Sequence, residues 1–173
     1  MTAPRVHVCS LIDLPDVVAK VRPTQLVSAI GADSMPPTPA ALAAERHLKL
    51  MFNDILEPRD GLIHPSEQHI HQLLAFARAW QASSPLVVHC WAGISRSTAA
   101  AYITLCAHNP AGTERAIAEA LRAASPTATP NSLMIAHADR VLGRAGRMVD
   151  AIEDIGIGDL AMAGRPFSLP ARF

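Results

Sequence analysis

The chain has 173 residues, of which 50% are hydrophobic and 17% are charged. This composition excludes a disordered chain and predicts one domain of ordinary size with a sizeable core. The 15 lysines and arginines balance the 15 aspartates and glutamates, and like charges do not cluster. Composition therefore gives no support for a nucleic-acid partner or an anionic membrane surface, and an anion site would have to be local.

Apolar runs and cysteines indicate the compartment. No stretch approaches the ~20 apolar residues that a membrane helix needs, and residues 1–15 lack the long apolar core and cleavage site of a signal peptide. Cys9, Cys90 and Cys106 cannot all pair and show no metal-type spacing, which fits a reducing compartment. We therefore expect a cytoplasmic protein, a monomer or weak dimer, in which a free thiolate could survive.

The first half of the chain is predicted to contain three strands and one helix. Residues 6–11 (VHVCSL) form a short apolar strand, and residues 14–21 form a helix that ends at Arg-Pro. Residues 25–30 (QLVSAI) predict a second strand, which a proline-rich loop follows. Residues 47–52 (HLKLMF) alternate polar and apolar side chains as a third strand. The next segment, NDILEPRDG, has turn chemistry and carries two aspartates.

The second half is predicted to be mainly helical. A helical stripe over 65–81 ends at SSP, and residues 86–90 (LVVHC) form the fourth strand. Helices are then predicted over 95–107, over 113–124 and over about 131–154. Strands that alternate with helices predict an α/β fold, with a mainly parallel four- or five-stranded sheet flanked by helices on both faces.

The end of the chain has little periodicity. Residues 155–173 are expected to form a C-terminal tail that is packed on the domain or flexible, which leaves residues 1–154 as the main domain. Within the tail, GIGDLAMAG is superficially like a glycine-rich nucleotide loop. No strand precedes it and no Lys-Ser/Thr follows it, so a loose segment is predicted.

Ligands of open parallel sheets bind beyond the carboxyl ends of the strands. Cys90 ends the fourth strand, and the residues before the next helix are Trp91, Ala92, Gly93, Ile94 and Ser95. A short turn there can aim successive backbone N–H groups into one anion-binding concavity, to which the helix adds its positive N-terminal end. Arg96 adds a planar group that can grip two oxygens of a tetrahedral oxyanion. Inorganic phosphate or sulfate is predicted to occupy this loop, above Cys90.

The same surroundings bear on the thiol. A cysteine that ends a strand is usually core filling, but cations and helix N-termini favour the thiolate. Ser97 can donate a hydrogen bond to the sulfur, and His89 is expected to orient the loop rather than titrate in the reaction. Cys9 and Cys106 lack such neighbours and are predicted to be packing residues.

The run from His89 to Ser97, HCWAGISRS, resembles the signature of the cysteine-dependent protein tyrosine phosphatases. The histidine before the cysteine, the glycine, the serine after the arginine and the strand–loop–helix context all match. The resemblance covers most of residues 6–143 and is closest to the dual-specificity-like branch, including bacterial-type tyrosine phosphatase-like proteins. It implies a phosphatase-like catalytic domain with its phosphate loop between the last core strand and the following helix.

The resemblance also implies a general acid upstream of the signature. Asp54 matches that position and is favoured, while Asp60 in the same loop is the alternative. Asn131 would help to place the hydrolytic water. In the implied mechanism Cys90 attacks phosphorus while the aspartate protonates the leaving oxygen, and the aspartate then activates water. No metal or other cofactor is required.

Three functions stay open at this point. The leading one is a protein tyrosine phosphatase, of single or dual specificity, acting on a phosphorylated protein or small phosphomonoester. A catalytically inactive phosphate-binding module is the second, and a phosphatase of a phosphoinositide or nucleotide is the third. Trp91, Ala92 and Ile94 add no positive charge, which favours a singly phosphorylated, partly apolar substrate. The acid loop lacks Trp-Pro-Asp, so a classical receptor-type domain is not predicted.

Two further patterns have plainer explanations. His64, His69 and His71 invite a metal site, but residues two apart on a helix point to different faces, so surface or capping histidines are expected. Arg144 and Arg147 are expected on a solvated helix face.

Overall fold

The structure, a computed structural model, describes residues 4–80 and 82–173. Its five strands are β1 (Arg5–Ser10), β2 (Gln25–Ile30), β3 (His47–Met51), β4 (Leu86–Cys90) and β5 (Phe167–Pro170). They form one sheet in the order β3-β2-β4-β1-β5. The first four strands are parallel to their neighbours, and β5 runs antiparallel to β1. The predicted mainly parallel α/β sheet is confirmed.

The helices are α1 (Leu14–Val21), α2 (Glu67–Trp80), α3 (Arg96–His108), α4 (Glu114–Ala124), α5 (Ser132–Leu142) and α6 (Arg147–Ile155). The first four lie where the sequence predicts helices, with ends that differ by one or two residues. Residue 81, the predicted end of the second helix, and residues 1–3 of the predicted domain lie outside the described residues. The single helix predicted over about 131–154 is wrong, because α5 and α6 are separate.

A left-handed turn separates α5 from α6. Gly143 ends α5 at φ 63° and Gly146 precedes α6 at φ 87°, a conformation that glycine adopts without steric cost. The Asp139 carboxylate accepts hydrogen bonds from the backbone N–H groups of Gly146 at 2.7 Å and Met148 at 2.9 Å. These bonds satisfy the free amides at the start of α6, so the break is stable.

The two faces of the sheet are covered unequally. Successive strand residues point to opposite faces. On one face Cys9, Leu26 and Val87 pack with Leu14 of α1. On the other face Val88 and its neighbours join a larger core that includes side chains of α2 to α6. Alternation along β4 turns Cys90 toward the larger core and His89 toward the face of α1.

Cys9 and Cys106 are buried, like the packing residues that the sequence predicts. Burial raises the pKa of the Cys9 thiol to about 12, and the nearby Asp13 and Cys90 act in the same direction. Burial likewise raises the pKa of Cys106 to about 12. Both cysteines are therefore protonated thiols at neutral pH.

Arg144 occupies an unexpected position in this core. It lies in the turn after α5 and is buried, so the expectation of a solvated helix face is wrong for this residue. Its guanidinium donates to Glu114 Oε1 at 2.8 Å and to the backbone carbonyls of Cys106 and Asn109 at 2.5 and 3.0 Å. Arg147 is about half exposed and approaches the same carboxylate oxygen at 3.5 Å. We call Glu114 and Arg144 the buried ion pair.

Residues 155–173 carry the strand that completes the sheet. Leu169 of β5 lies opposite Val6 of β1 and is buried. The Arg5 guanidinium donates to the Ser168 hydroxyl at 2.8 Å and to its carbonyl at 2.9 Å. None of the helices described in residues 4–80 and 82–173 is both long and apolar enough to span a bilayer.

Candidate active site

The signature loop, residues 90–97, is anchored at both ends. Cys90 is the last residue of β4, and Arg96 is the first residue of α3. The Cys90 side chain is buried, with its sulfur 3.0 Å from the hydroxyl oxygen of Ser97. A rigid strand and the first turn of a helix therefore hold the thiol and its hydrogen-bond partner together.

Backbone groups from other parts of the chain hold the loop carbonyls. Each bond runs from an N–H group outside the loop to a carbonyl oxygen within it. The pairs are Leu11 to Trp91 at 3.0 Å, Gly164 to Ala92 at 2.8 Å, Thr129 to Ile94 at 2.9 Å and Asn131 to Ser95 at 3.4 Å. Four carbonyls of one short loop are thus bonded to segments around it.

This arrangement fixes where the loop amides point. In a planar trans peptide the N–H group points opposite to the carbonyl that precedes it. The amides of Ala92, Gly93, Ser95 and Arg96 therefore point away from the surrounding segments. In the described part of the chain, the N–H groups of residues 92–95 have no hydrogen-bond acceptor. Successive free amides of one loop can bind an anion.

Glycine is required at position 93 for two reasons. Its φ is +70°, and a β-carbon there would lie 2.8 Å from the backbone carbon of Cys9 and 2.8 Å from the backbone nitrogen of Ser10. No side chain fits against the end of β1 at that distance. Gly93 therefore lets the loop close against the sheet.

Arg96 is buried but incompletely bonded. Its Nη1 donates to the Phe52 carbonyl at 2.9 Å, which fixes the guanidinium beside the loop after β3. Its Nε is buried and has no hydrogen-bond partner among residues 4–80 and 82–173. A buried guanidinium donor without an acceptor is costly unless an anion supplies one. Arg96 is thus suited to hold an oxyanion.

The structure brings Asp54 to the loop. Its Oδ1 accepts hydrogen bonds from Ser95 Oγ at 2.7 Å and from Asn131 Nδ2 at 2.9 Å. Its Oδ2 lies 4.0 Å from Arg96 Nε. Asn131 also caps α5 by accepting from the Met134 amide at 3.1 Å, so the amide that orients Asp54 is itself fixed. Asp60 is exposed, and no hydrogen bond or ion pair of its side chain occurs within the described ranges.

A chain of buried polar groups lies under Cys90. His89 Nδ1 is 3.3 Å from the Cys90 carbonyl, and its Nε2 bonds the Ser28 hydroxyl at 2.5 Å. The same hydroxyl bonds His47 Nε2 at 2.7 Å, and His47 Nδ1 bonds the Thr38 hydroxyl at 2.9 Å. We call these four side chains the histidine chain. Only His89 was predicted, although a serine inside the apolar strand QLVSAI was a signal of a buried polar contact.

Both imidazoles of the histidine chain are neutral at neutral pH. Burial is the main reason that the pKa of His89 is lowered to about 4; the contact with the Cys90 carbonyl opposes the shift, and the charge of Arg96 acts in the same direction as burial. Burial also lowers the pKa of His47 to about 4, with Lys49 and His89 acting in the same direction. His89 therefore orients the end of β4 by hydrogen bonds.

The segment predicted to be a loose glycine-rich tail is tied to the site. We call residues 156–164 the C-terminal strap. Besides the bond from Gly164 to the loop, the Gly158 amide donates to the Thr129 hydroxyl at 3.1 Å and the Asp159 amide to the Pro126 carbonyl at 2.9 Å. A β-carbon on Gly158 would lie 2.6 Å from Pro126 oxygen. Sequence reasoning missed these supports, for which the only signal was the spacing of the glycines.

The histidines of the suspected metal cluster have other partners. His64 Nδ1 lies 2.8 Å from the Pro65 carbonyl oxygen, and His69 Nδ1 accepts from the Ser66 amide at 3.2 Å. Within the part of the chain that the structure describes, no group of three or more histidine, cysteine or acidic side chains is arranged to hold a metal ion.

Comparisons with known proteins found one family model and several solved structures that are similar to this chain. A family model described as protein-tyrosine phosphatase matches residues 58–124, which include the whole signature loop. A comparison with curated proteins gave no match. Among solved structures, DUSP15 is 19% identical, with 89% of this chain and 96% of that chain covered and a TM-score of 0.60.

Two further solved structures are more distant. OH1 from the Orf virus, described as a tyrosine phosphatase, is 16% identical over 90% of this chain and 74% of that chain, with a TM-score of 0.46. The PTP-2 phosphatase of Cydia pomonella is 15% identical over 95% and 93%, with a TM-score of 0.48. The protein-tyrosine phosphatase model therefore matches the part of the chain that carries the signature loop, and the chain shares its fold with DUSP15.

Proposed function

We propose that the protein is a tyrosine phosphatase that hydrolyses phosphomonoesters through a cysteinyl-phosphate intermediate. Phosphotyrosine is the main substrate, and phosphoserine and phosphothreonine are further candidates. The observation that carries the proposal is that one short loop combines three features. These are the Cys90 thiol, the inward-facing loop amides and the unbonded Nε of buried Arg96.

In the first step, the Cys90 sulfur attacks phosphorus in line with the leaving oxygen. A sulfur–phosphorus bond forms as the phosphorus–oxygen ester bond breaks, and Asp54 gives its proton to the departing phenol or alcohol. The loop amides and Arg96 hold the three equatorial oxygens, where a loose phosphoryl transition state carries its charge. The bond from Ser97 to sulfur stabilises the thiolate.

In the second step, water attacks the cysteinyl-phosphate. Asp54, now a carboxylate, takes a proton from the water, the sulfur–phosphorus bond breaks, and phosphate and the Cys90 thiolate are released. Asn131 supports this step because its amide holds the Asp54 carboxylate beside the loop. The contact of Asp54 with Ser95 and Asn131 favours it over Asp60 as the acid.

The sequence predicts a catalytic domain over residues 1–154 followed by a C-terminal tail, and we propose to extend this domain to include the tail. The bond from Gly164 to the loop and the pairing of β5 with β1 support a tail that contributes to the working site. We therefore treat residues 155–173 as part of the catalytic unit.

The test is hydrolysis of p-nitrophenyl phosphate by the wild type and three variants. We expect vanadate-sensitive turnover that Cys90→Ser abolishes, because serine is a far weaker nucleophile at neutral pH. Asp54→Asn should lower kcat about 10²- to 10³-fold, the usual effect of a lost acid. Asp60→Asn is the matched control and should keep wild-type kcat. Phosphate binding by a wild type without turnover would instead support an inactive binding module.

A further inference from the structure

Two clefts border the signature loop at different residues, one at Trp91 and the other at Ser95. The first, the Trp91 cleft, has a volume of about 430 Å³ and is lined by Leu11, Ile12, Trp91, Met162 and Ala163. It meets the loop next to Cys90. Its lining is wholly apolar in side-chain character, and both Trp91 and Ile12 are more than half exposed.

The second cleft meets the loop at its other end. This Asn131 cleft has a volume of about 590 Å³, and its lining includes Asp54, Ser95 and Asn131 of the candidate site. The rest of its wall combines apolar side chains, among them Leu56 and Ile157, with the polar residues Thr129, Ser132 and Glu153. Both clefts have the size and the mixture of apolar wall and few polar groups that are typical of ligand sites.

The C-terminal strap supplies one wall of each cleft. Ile157 lines the Asn131 cleft and Met162 lines the Trp91 cleft, and their exposures are 83% and 95%. Large apolar side chains at such exposure are free to contact a bound substrate. The hydrogen bonds of Gly158 and Gly164 hold the strap in place, so both walls are formed before a substrate arrives.

The two clefts favour substrates that extend in two directions from the phosphorylated group. A phosphate at the end of a molecule, as in a 5′-mononucleotide, is joined to a group that extends in one direction. A polypeptide phosphorylated at an internal residue extends in two directions, and so can fill both clefts.

The charged residues near the two clefts also favour a polypeptide substrate. No lysine or arginine lines either cleft among the described residues, and the only charged residue of the strap is Asp159. Binding to anionic membranes gains from clusters of basic residues near the surface. A neutral to acidic, apolar rim therefore favours a polypeptide over a phosphoinositide-containing bilayer.

We propose that the Trp91 cleft and the Asn131 cleft bind large apolar side chains on the two sides of an internal phosphorylated residue of a polypeptide substrate, with Met162 and Ile157 as specificity-determining residues. This inference rests on the proposed phosphatase activity and names the substrate class of the same site. It adds no chemical step, because it concerns only how the substrate is held.

The experiment compares kcat/KM for short phosphotyrosine peptides in the full-length protein. One peptide carries leucines on both sides of the phosphotyrosine, one carries serines on both sides, and two carry leucines on one side only. We expect the doubly apolar peptide to exceed the serine peptide roughly tenfold or more, since burial of one leucine side chain is sufficient for that difference. p-Nitrophenyl phosphate, which has no flanking side chains to place in the clefts, reports the basal chemistry.

Serine substitutions then assign the clefts. Met162→Ser and Ile157→Ser should each lower kcat/KM for the doubly apolar peptide roughly fivefold, and leave p-nitrophenyl phosphate hydrolysis unchanged. Each variant should be insensitive to leucine on one side of the phosphotyrosine, and the two sides should differ between the variants. Leu160→Ser is the matched control, since Leu160 is 99% exposed in the same strap and lines neither cleft.

Three results would overturn the inference. The first is equal kcat/KM for apolar and serine peptides, and the second is an equal loss in Leu160→Ser and Met162→Ser. The third is faster hydrolysis of a phosphatidylinositol phosphate in phosphatidylcholine vesicles than of the peptides. Absence of p-nitrophenyl phosphate turnover in the wild type would overturn the proposed function instead, so the two failures are distinguishable.

Discussion

The chain buries two arginines, Arg96 and Arg144, to nearly the same degree, with exposures of 8% and 7%. Their hydrogen bonding is very different. Arg144 donates to the Glu114 carboxylate and to two backbone carbonyls. Arg96 donates to one carbonyl, and its Nε is without a partner in the described part of the chain.

This difference separates a charge that protein groups satisfy from a charge with a donor left open for a ligand. A buried charge that protein groups satisfy stabilises the fold only as long as its partner is present. A buried charge with an open donor contributes little to stability but is ready to bind an anion. The two arginines therefore predict opposite effects of the same substitution, a loss of activity at one position and a loss of stability at the other.

The largest effect is expected for Arg96→Met. This change removes the charge and the open donor while keeping most of the side-chain volume. We expect kcat/KM for p-nitrophenyl phosphate to fall about 10³-fold or more, because loss of one transition-state donor alone costs about 10²- to 10³-fold. The free energy of unfolding in urea should change by less than about 1 kcal/mol. A large loss of stability with retained turnover would assign Arg96 a structural role.

The converse is expected for Arg144→Met. Glu114 is buried, and its carboxylate would lose its main charged partner. Breaking such a pair costs about 3–5 kcal/mol, which urea unfolding measures, while kcat/KM of the folded protein should stay unchanged. Arg144→Met combined with Glu114→Gln should regain part of the stability. If the double variant is no more stable than the single one, the carboxylate is not the source of the loss.

Acid should lower the free energy of unfolding in two stages, first through the histidine chain and then through the buried ion pair. Each imidazole of the histidine chain binds a proton near pH 6.5 when unfolded but only near pH 4 when folded. Between these values the unfolded state takes up protons that the folded state does not, so stability falls as pH drops from 6.5 to about 4 and levels off below. The loss is on the order of 3 kcal/mol for His89.

The measurement is urea unfolding across this pH range for the wild type and His47→Gln. The free energy of unfolding of the variant should fall less steeply with acid, because the variant lacks one of the two histidines of the histidine chain, whose pKa values are lowered. Burial is also the main cause of the lowered pKa values of His7, His69 and His137, and these contribute equally to both proteins. Identical slopes in the two proteins would contradict this assignment.

The low pKa of Glu114 persists despite burial because main-chain donors and Arg144 stabilise its carboxylate. Its contribution is therefore lost only below its unfolded value of 4.5.

The smallest effect is expected for Gly164→Ala. A β-carbon there would lie 3.0 Å from the Gly93 carbonyl oxygen and 3.1 Å from the Thr127 hydroxyl, so the loop that presents Arg96 must shift by a few tenths of an ångström. We expect kcat for p-nitrophenyl phosphate to fall roughly threefold to tenfold, since misplacement of catalytic groups is costly. Gly31→Ala is the control, because its nearest neighbour would be at 3.4 Å. An equal effect of both changes would contradict the role of the strap.

Sequence alone predicts the residues of the candidate site better than the tertiary contacts that hold them in place. Cys90, Arg96 and Ser97 lie in one short motif, so local spacing is sufficient to bring them together. Asp54 was favoured over Asp60 by its position after β3, and the structure brings Asp54 and not Asp60 to the loop. The roles of these residues stay predictions until the variants are measured.

The unpredicted features depend on contacts between residues far apart in the sequence. The bond from Gly164 to Ala92, the burial of Arg144 beside Glu114 and the pairing of β5 with β1 follow from tertiary packing. No local periodicity encodes them, because glycine and proline segments can lie loosely or be held tightly with the same sequence pattern. The break between α5 and α6 was different, since Gly143 and Gly146 were visible signals of a left-handed turn.

The bond from Gly164 has a consequence for the order of events during translation. Cys90 and Arg96 leave the ribosome long before Gly164, and domains form from the N-terminal side as the chain emerges. A nascent chain therefore displays Cys90 and Arg96 before the Gly164 donor of their loop has been synthesised. We expect the loop to reach its final geometry only after Gly164 has left the ribosome and bonded to the Ala92 carbonyl.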